Sequence, residues 1–291
     1  MSSLTVWVDG EFLSVDDTRA SLMAHGLHYG TGVFEGIRAY DTNRGPAIFR
    51  LDDHMARFSA GADALAMNVD VKAMGQASLE LLRRNGQSTA YVRPLSYFES
   101  GGLALDVAPL MPKSFVTTLP WKSHLGDAAD DTGVKLRTSS HRRTPAAAVP
   151  ALKLCGNYVN SIIAKLESTR AGYDEALFID DDGYVCEATG ENVFMVKGGR
   201  VTAVDHHDAL SGITKASVMT LTGAESRRVH RDELLDADEV FLTGTSAEVA
   251  WVSEFDGRQF ARNVATREIA MLYQDVVHGR RPEHESWLTW A

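Results

Sequence analysis

The sequence has little of what many functional frameworks need. It has two cysteines, Cys155 and Cys186, in 291 residues. They form no CxxC and no disulfide framework, so a reducing cytoplasm is the expected compartment. No apolar run approaches the ~18 residues of a membrane helix, and the N-terminus has no basic segment ahead of a long apolar stretch. Positive charge is in deficit: 29 Lys and Arg against 39 Asp and Glu give a net charge of −10. An acidic surface disfavours nucleic acid and membranes as partners, yet leaves room for a locally positive pocket that takes a small anion. No GxxxxGK[ST], no GxSxG and no strand followed by GxGxxG occurs. His25 and His28, and the adjacent His206 and His207, stand without an HExxH or a Cys/His set, so no metal site is expected. Asp180-Asp181-Asp182-Gly183 lacks the ligand spacing of a calcium loop. There is no internal repeat and no low-complexity segment.

What is present is ordinary globular composition, 44% hydrophobic and 23% charged, in a chain long enough for two cores. Thr5-Val6-Trp7-Val8, Asp9-Gly10 and Glu11-Phe12-Leu13 read as a hairpin. Short strands are expected at 37–40, 47–50, 89–95 and 115–119. Leu51-Asp52-Asp53 starts a helix with Asp as N-cap and an apolar face of Met55, Phe58, Ala62, Leu65 and Ala66. A second helix carries Met74, Leu79, Leu81 and Leu82. These make an α+β first domain over 1–120. Residues 121–131 are polar and small, a linker. Residues 132–291 form a second domain richer in short strands, at 175–179, 184–186, 192–196, 200–204 and 239–242. Its helices are expected at 158–169, 214–221 and 264–277. The helix at 158–169 is expected to bury Val159, Ile162, Ile163 and Leu166, with Gly172 ending it.

The chain has eight lysines, and only Lys153 lies in an apolar run, Ala151-Leu152-Lys153-Leu154-Cys155, ahead of Gly156-Asn157-Tyr158. A desolvated lysine next to a helix N-terminus favours the neutral amine, which Schiff-base chemistry requires. The plainer reading is a lysine that snorkels out of a strand. Tyr158 lies within one turn and reads either as a hydroxyl aimed at the same space or as a core residue. Glu187, in Cys186-Glu187-Ala188-Thr189-Gly190, reads as a turn carboxylate in water or as a buried one that needs a cationic or donor partner, such as a pyridinium nitrogen. Gly212-Ile213-Thr214, opening a helix, and Gly244-Thr245, following a strand, offer anion-binding N–H groups or are ordinary turns. Arg57 adds a cation or is a surface arginine.

Taken together in this order, the residues resemble the fold-type IV pyridoxal phosphate enzymes, most closely the branched-chain amino acid aminotransferases. His28-Tyr29-Gly30, Val33-Phe34-Glu35-Gly36-Ile37-Arg38 and Tyr91-Val92-Arg93-Pro94 carry the N-terminal part of the resemblance. Lys153 with Gly156-Asn157-Tyr158, Glu187 with Gly190-Glu191-Asn192, Gly212-Ile213-Thr214 and Gly244-Thr245 carry the rest. The resemblance covers nearly the whole chain. It implies a smaller N-terminal α/β domain and a larger C-terminal domain with a barrel-like sheet core.

It also implies roles. Lys153 would hold pyridoxal 5′-phosphate covalently and shuttle the proton; Glu187 would pair with the ring nitrogen and Tyr158 with the phenolate oxygen. Arg57, Gly212, Ile213, Thr214, Gly244 and Thr245 would bind the phosphate. Tyr29, Phe34 and Trp121 would wall the substrate pocket, with Tyr91, Arg93 and Ser246 on the substrate carboxylates. His124 stands after the Pro-Trp segment where relatives often carry a tyrosine. The implied activity is ping-pong transfer of an amino group between L-leucine, L-isoleucine or L-valine and 2-oxoglutarate. D-amino acid or (R)-amine transamination, and aminodeoxychorismate lysis, are the alternatives in this fold. Residues 102–107 resemble a loop that closes a partner subunit's pocket, which implies a homodimer or higher homo-oligomer.

Overall fold

A computed structural model describes residues 4–120, 132–261 and 263–291. The 121–131 segment, with Trp121 and His124, lies outside the described residues. The described chain forms two compact units that are not contiguous in sequence. Unit 1 holds the residues up to 120 together with Leu152–Gly156 and Val276–Ala291; unit 2 holds the stretch from 132 to Ala151 and Asn157–Asp275. The division therefore differs from contiguous blocks at 1–120 and 132–291. The lysine segment belongs with the N-terminal sheet because Leu154 bridges Val33.

Unit 1 is built on strands β1 (Thr5–Val8), β2 (Glu11–Ser14), β3 (Gly32–Phe34), β4 (Ile37–Tyr40), β5 (Ala47–Phe49), β6 (Ala90–Ser100) and β7 (Met111–Leu119). The β1–β2 hairpin turns at Asp9 and Gly10, with φ of 47° and 101°, as a two-residue turn with both φ positive requires. β6 is the spine, pairing with β3, β4 and β7. Helices α1 (His25–Tyr29), α2 (Leu51–Ala64) and α3 (Val71–Arg84) accompany the sheet. Met55, Phe58 and Ala62 of α2 are buried, as are Met74, Leu81 and Leu82 of α3. The N-cap of α2 is not an aspartate. Arg50 occupies it with φ of 53°, and its Nε bonds Asp53 Oδ2 at 2.5 Å.

Unit 2 contains β8 (Val134–Thr138), β9 (Glu175–Ile179), β10 (Val185–Ala188), β11 (Asn192–Lys197), β12 (Arg200–Val204), β13 (Glu225–Arg227), β14 (Glu239–Gly244), β15 (Glu248–Phe255) and β16 (Arg258–Gln259). They run in the order β10-β9-β8-β15-β14-β11-β12-β13, with β16 beside β15, in a sheet that curls as a half-barrel. Val134, Leu136, Leu177, Val193, Leu242 and Phe255 are among its core. The unit's helices are α4 (Tyr158–Arg170), α5 (Ile213–Thr222) and α6 (Arg231–Leu235), followed by α7 (Val264–Val277). The chain ends in β17 (Leu288–Trp290), which pairs with β5 and extends the sheet of unit 1.

α4 buries the opposite face from the one its large aliphatics suggest. Ser161, Ala164 and Ser168 face inward, whereas Val159, Ile162, Ile163 and Leu166 are 57%, 57%, 45% and 48% exposed. The reason lies in β9, which is buried on both faces. Leu177 enters the main core, while Ala176 and Phe178 turn toward Ala164 of α4. The Phe178 ring fills the space beneath the helix, so only small side chains fit there at interior packing density.

Candidate active site

In unit 1 the lysine segment is fastened to residues 30–34. Gly30 accepts from Gly156 N at 3.1 Å, and Lys153 O accepts from Phe34 N at 3.2 Å. Lys153 is half-buried, with Nζ 4.8 Å from the centre of the Phe34 ring. The Arg93 guanidinium lies 4.6 Å from the centre of the same ring, and its Nη2 donates to the Tyr91 hydroxyl at 3.0 Å. An amine, an aromatic wall and a guanidinium–phenol pair thus share one surface. Tyr91 has room because the link between β3 and β4 carries Gly36, where a Cβ would fall 1.8 Å from the Tyr91 hydroxyl oxygen. Tyr29 is directed elsewhere. It is 50% exposed and donates to Leu103 O at 3.2 Å, on the loop at 102–107.

Between Phe34 and Gly36 stands Glu35, fully buried. It accepts from Arg57 Nε at 2.6 Å and Arg57 Nη2 at 2.9 Å, and its Oε2 lies 2.8 Å from His54 Nδ1. Burial alone would raise the Glu35 pKa, but the charge of Arg57 and the contact with His54 outweigh it and hold the carboxyl well below the usual range. Burial likewise keeps the His54 imidazole below its ordinary range, against the pull of Glu35. Arg57 is therefore no surface arginine. The tripeptide Phe34-Glu35-Gly36 sets three things at once: the wall beside Lys153, the orientation of Arg57 and the space for Tyr91.

In unit 2 Glu187, on β10, is 5% exposed. Its Oε1 accepts from Arg143 Nε at 2.7 Å and its Oε2 from Leu210 N at 2.9 Å. The carboxylate is thus buried and ion-paired within the chain. Tyr158 is the first residue of α4 and half-buried. Gly212 is the N-cap of α5 and supplies no side-chain cap, so the N–H groups of Ile213 and Thr214 have no intrahelical acceptor. A Cβ on Gly212 would fall 1.8 Å from Asn192 Oδ1, and Asn192 Nδ2 donates to Leu210 O at 3.0 Å. Gly244 is held from the same side, since a Cβ there would meet Gly190 O at 3.2 Å and Glu191 Cγ at 3.3 Å. Thr245 and Ser246 follow in the turn between β14 and β15. Gly190-Glu191-Asn192 therefore clamps both segments expected to bind a phosphate.

His54 and Arg143 were not anticipated from the sequence, and Glu35 and Asn192 stood inside quoted motifs without a role of their own. Glu35 carries the same signal as Lys153, a charge inside an apolar run. His54 stands on the buried face of α2 beside Met55 and Phe58. Arg143 has no local signal, because its partner lies on a strand distant in sequence. Each unit by itself offers donors that suit parts of pyridoxal phosphate: in unit 1 a primary amine and an arginine, in unit 2 a buried carboxylate for a ring nitrogen and an uncapped helix N-terminus for a phosphate dianion.

Comparison with known proteins agrees. The amino-transferase class IV family matches residues 32–255. A branched-chain-amino-acid aminotransferase of Pseudomonas aeruginosa is 36% identical over 295 residues, covering 98% of this chain and 96% of its own length. Among solved structures, a T.th. branched-chain amino acid aminotransferase complexed with N-(5′-phosphopyridoxyl)-L-glutamate superposes with a TM-score of 0.93 at 41% identity, covering 100% of this chain and 99% of that one. The same T.th. protein with pyridoxamine 5′-phosphate gives 0.92 at 42% identity, covering 100% and 99%.

Proposed function

We propose a substrate pair for this chain, which belongs to the amino-transferase class IV family and is a pyridoxal phosphate-dependent enzyme of the fold-type IV, α+β class. It moves the amino group between L-leucine, L-isoleucine or L-valine and 2-oxoglutarate, in two half-reactions. The observation that carries this reading is the pairing of Arg93 with Tyr91 beside Phe34 and Lys153. An aromatic wall next to a guanidinium suits a pocket that accepts an aliphatic side chain in one half-reaction and the distal carboxylate of glutamate in the other.

When bound, pyridoxal phosphate supplies a carbonyl for the amino group and a ring that draws electron density from the reacting carbon. Lys153 anchors it. With an amino acid in place, Lys153 Nζ would take the proton from the substrate Cα as a base and deliver it as an acid to the cofactor carbon that bears the transferred nitrogen. Glu187 holds the proton of the ring nitrogen, and Tyr158 donates to the phenolate oxygen. Arg57 and the N–H groups of Ile213 and Thr214, with Gly212, Gly244 and Thr245, bind the phosphate. Tyr91, Arg93 and Ser246 orient the carboxylates, and Phe34 borders the side-chain pocket, whereas Tyr29 is turned to the loop at 102–107. The loop at 102–107 closes the pocket of a second copy, making a homodimer the working unit. The two free cysteines suit a cytoplasmic enzyme.

The test mixes holoenzyme with each amino acid and follows the visible band of the bound cofactor. L-leucine, L-isoleucine and L-valine should bleach it, and 2-oxoglutarate should restore it. If only D-amino acids or (R)-amines bleach it, the substrate assignment is wrong. Ammonia and pyruvate released without an oxo acid acceptor would point to a lyase.

A further inference from the structure

We infer that Arg143 is a positioning residue for the reaction, acting through Glu187. This rests on the assignment of Glu187 to the cofactor's ring nitrogen. Arg143 lies in the segment after β8, and its side chain is 9% exposed against 7% for that of Glu187. The guanidinium is fastened from two sides. Nε bonds Glu187 Oε1 at 2.7 Å, and Nη1 reaches Asn160 Oδ1 at 3.3 Å. Asn160, on α4, also accepts from Thr144 N at 3.1 Å and donates to Arg142 O at 2.9 Å, so it pins the turn that carries Arg143. Phe178 adds a ring whose centre is 5.8 Å from the guanidinium carbon.

The consequence for Glu187 is chemical. A carboxyl group buried on β10 without a cation takes up a proton rather than stay charged. A protonated Glu187 donates where it must accept, and cannot hold the proton of a ring nitrogen. Arg143 supplies a cation against this carboxylate before any ligand arrives. The Leu210 N–H on the second oxygen, at 2.9 Å, fixes the plane of that carboxylate. Because Leu210 precedes the phosphate-binding Gly212-Ile213-Thr214, the same contact ties the orientation of Glu187 to that segment.

The experiment compares R143M, R143K and E187Q holoenzymes by the absorbance of the bound cofactor, by cofactor loss on dialysis, and by kcat and KM. E187Q should displace the cofactor band and lower kcat strongly. R143M should displace the band in the same direction and lower kcat roughly 10- to 100-fold, the usual scale for a partner behind a directly contacting group, with little change in KM for the amino acid. R143K, which keeps the charge, should recover most of the loss. A wild-type band and kcat in R143M, with E187Q altered, overturns the inference. An unaltered band and kcat in E187Q overturns the assignment of Glu187 itself, and the inference with it. If R143M does not fold, N160A carries the test: it loosens the guanidinium without removing the ion pair, and should move the band the same way by less. An unmoved band in N160A then overturns the inference.

Discussion

Each unit buries one ion pair next to residues assigned to the reaction, and the two pairs are opposite in sense. In unit 1 the assigned residue is the cation Arg57, and the supporting partner is the carboxylate of Glu35, itself backed by His54. In unit 2 the assigned residue is the carboxylate of Glu187, and the supporting partner is the cation Arg143. The difference matters because the stranded groups behave differently. An arginine deprived of its carboxylate cannot shed its proton, whereas a glutamate deprived of its arginine can take one up. Unit 1 is therefore committed to its pair for folding, and unit 2 for function.

The largest expected effect breaks the pair in unit 1. Glu35→Ala leaves Arg57 and His54 facing a buried void and should destabilise the apoprotein by ~3–5 kcal/mol in urea unfolding. Arg143→Met should cost distinctly less, because Glu187 neutralises itself. Equal losses would erase the contrast.

A second comparison uses the two glycines that make room for polar side chains. Gly36→Ala pushes on the Tyr91 hydroxyl, and Gly212→Ala pushes on Asn192. The first should raise KM for the amino acid, by up to about 100-fold for an ångström-scale displacement, and leave cofactor retention intact. The second should weaken cofactor retention and leave KM for the amino acid of the loaded enzyme nearly unchanged. Steady-state kinetics and dialysis against cofactor-free buffer separate them, and the reverse pattern would exchange the roles of the two units.

The smallest effect concerns pH. Glu35 is depressed, so its stabilisation is present above the ordinary carboxylate pKa and is lost as the solution turns strongly acidic. Glu191 is the opposite. Burial first, and then the neighbouring Glu175, push it up to about 8. Its folded form keeps a proton that the unfolded chain releases, so this contribution is full below an ordinary carboxylate pKa and is lost as pH rises toward 8. Urea midpoints of the native protein should decline over that range, and Glu191→Gln should flatten the decline. An identical slope in the variant would remove Glu191 as its source.

The elements most legible in the sequence were those specified locally. Asp9-Gly10 announces its hairpin, and the 3.6-residue pattern of 264–277 coincides with α7. The α+β class and its family could be read from ordered motifs, since each motif encodes a short backbone geometry. What escaped was decided by distant packing. The inward face of α4 was set by Phe178 on another element, not by the helix's own aliphatics. β15 was not anticipated, although Val249-Ala250-Trp251-Val252 is an apolar run of strand length; in the fold β14 and β8 flank it. Arg143 meets Glu187 only through the fold, so no pattern around residue 143 could reveal it.

The pairing of β17 with β5 sets an order on how the molecule is made. β5 emerges early from the ribosome, whereas Leu288–Trp290 follows only after every other described strand. Until then the backbone groups of Ala47–Phe49 stand at an open sheet edge, a ready template for intermolecular pairing. The nascent chain thus carries an adhesive border until Leu288–Trp290 is made. Deleting Leu288–Trp290 would leave that border uncovered, and its first symptom would be aggregation rather than lost chemistry.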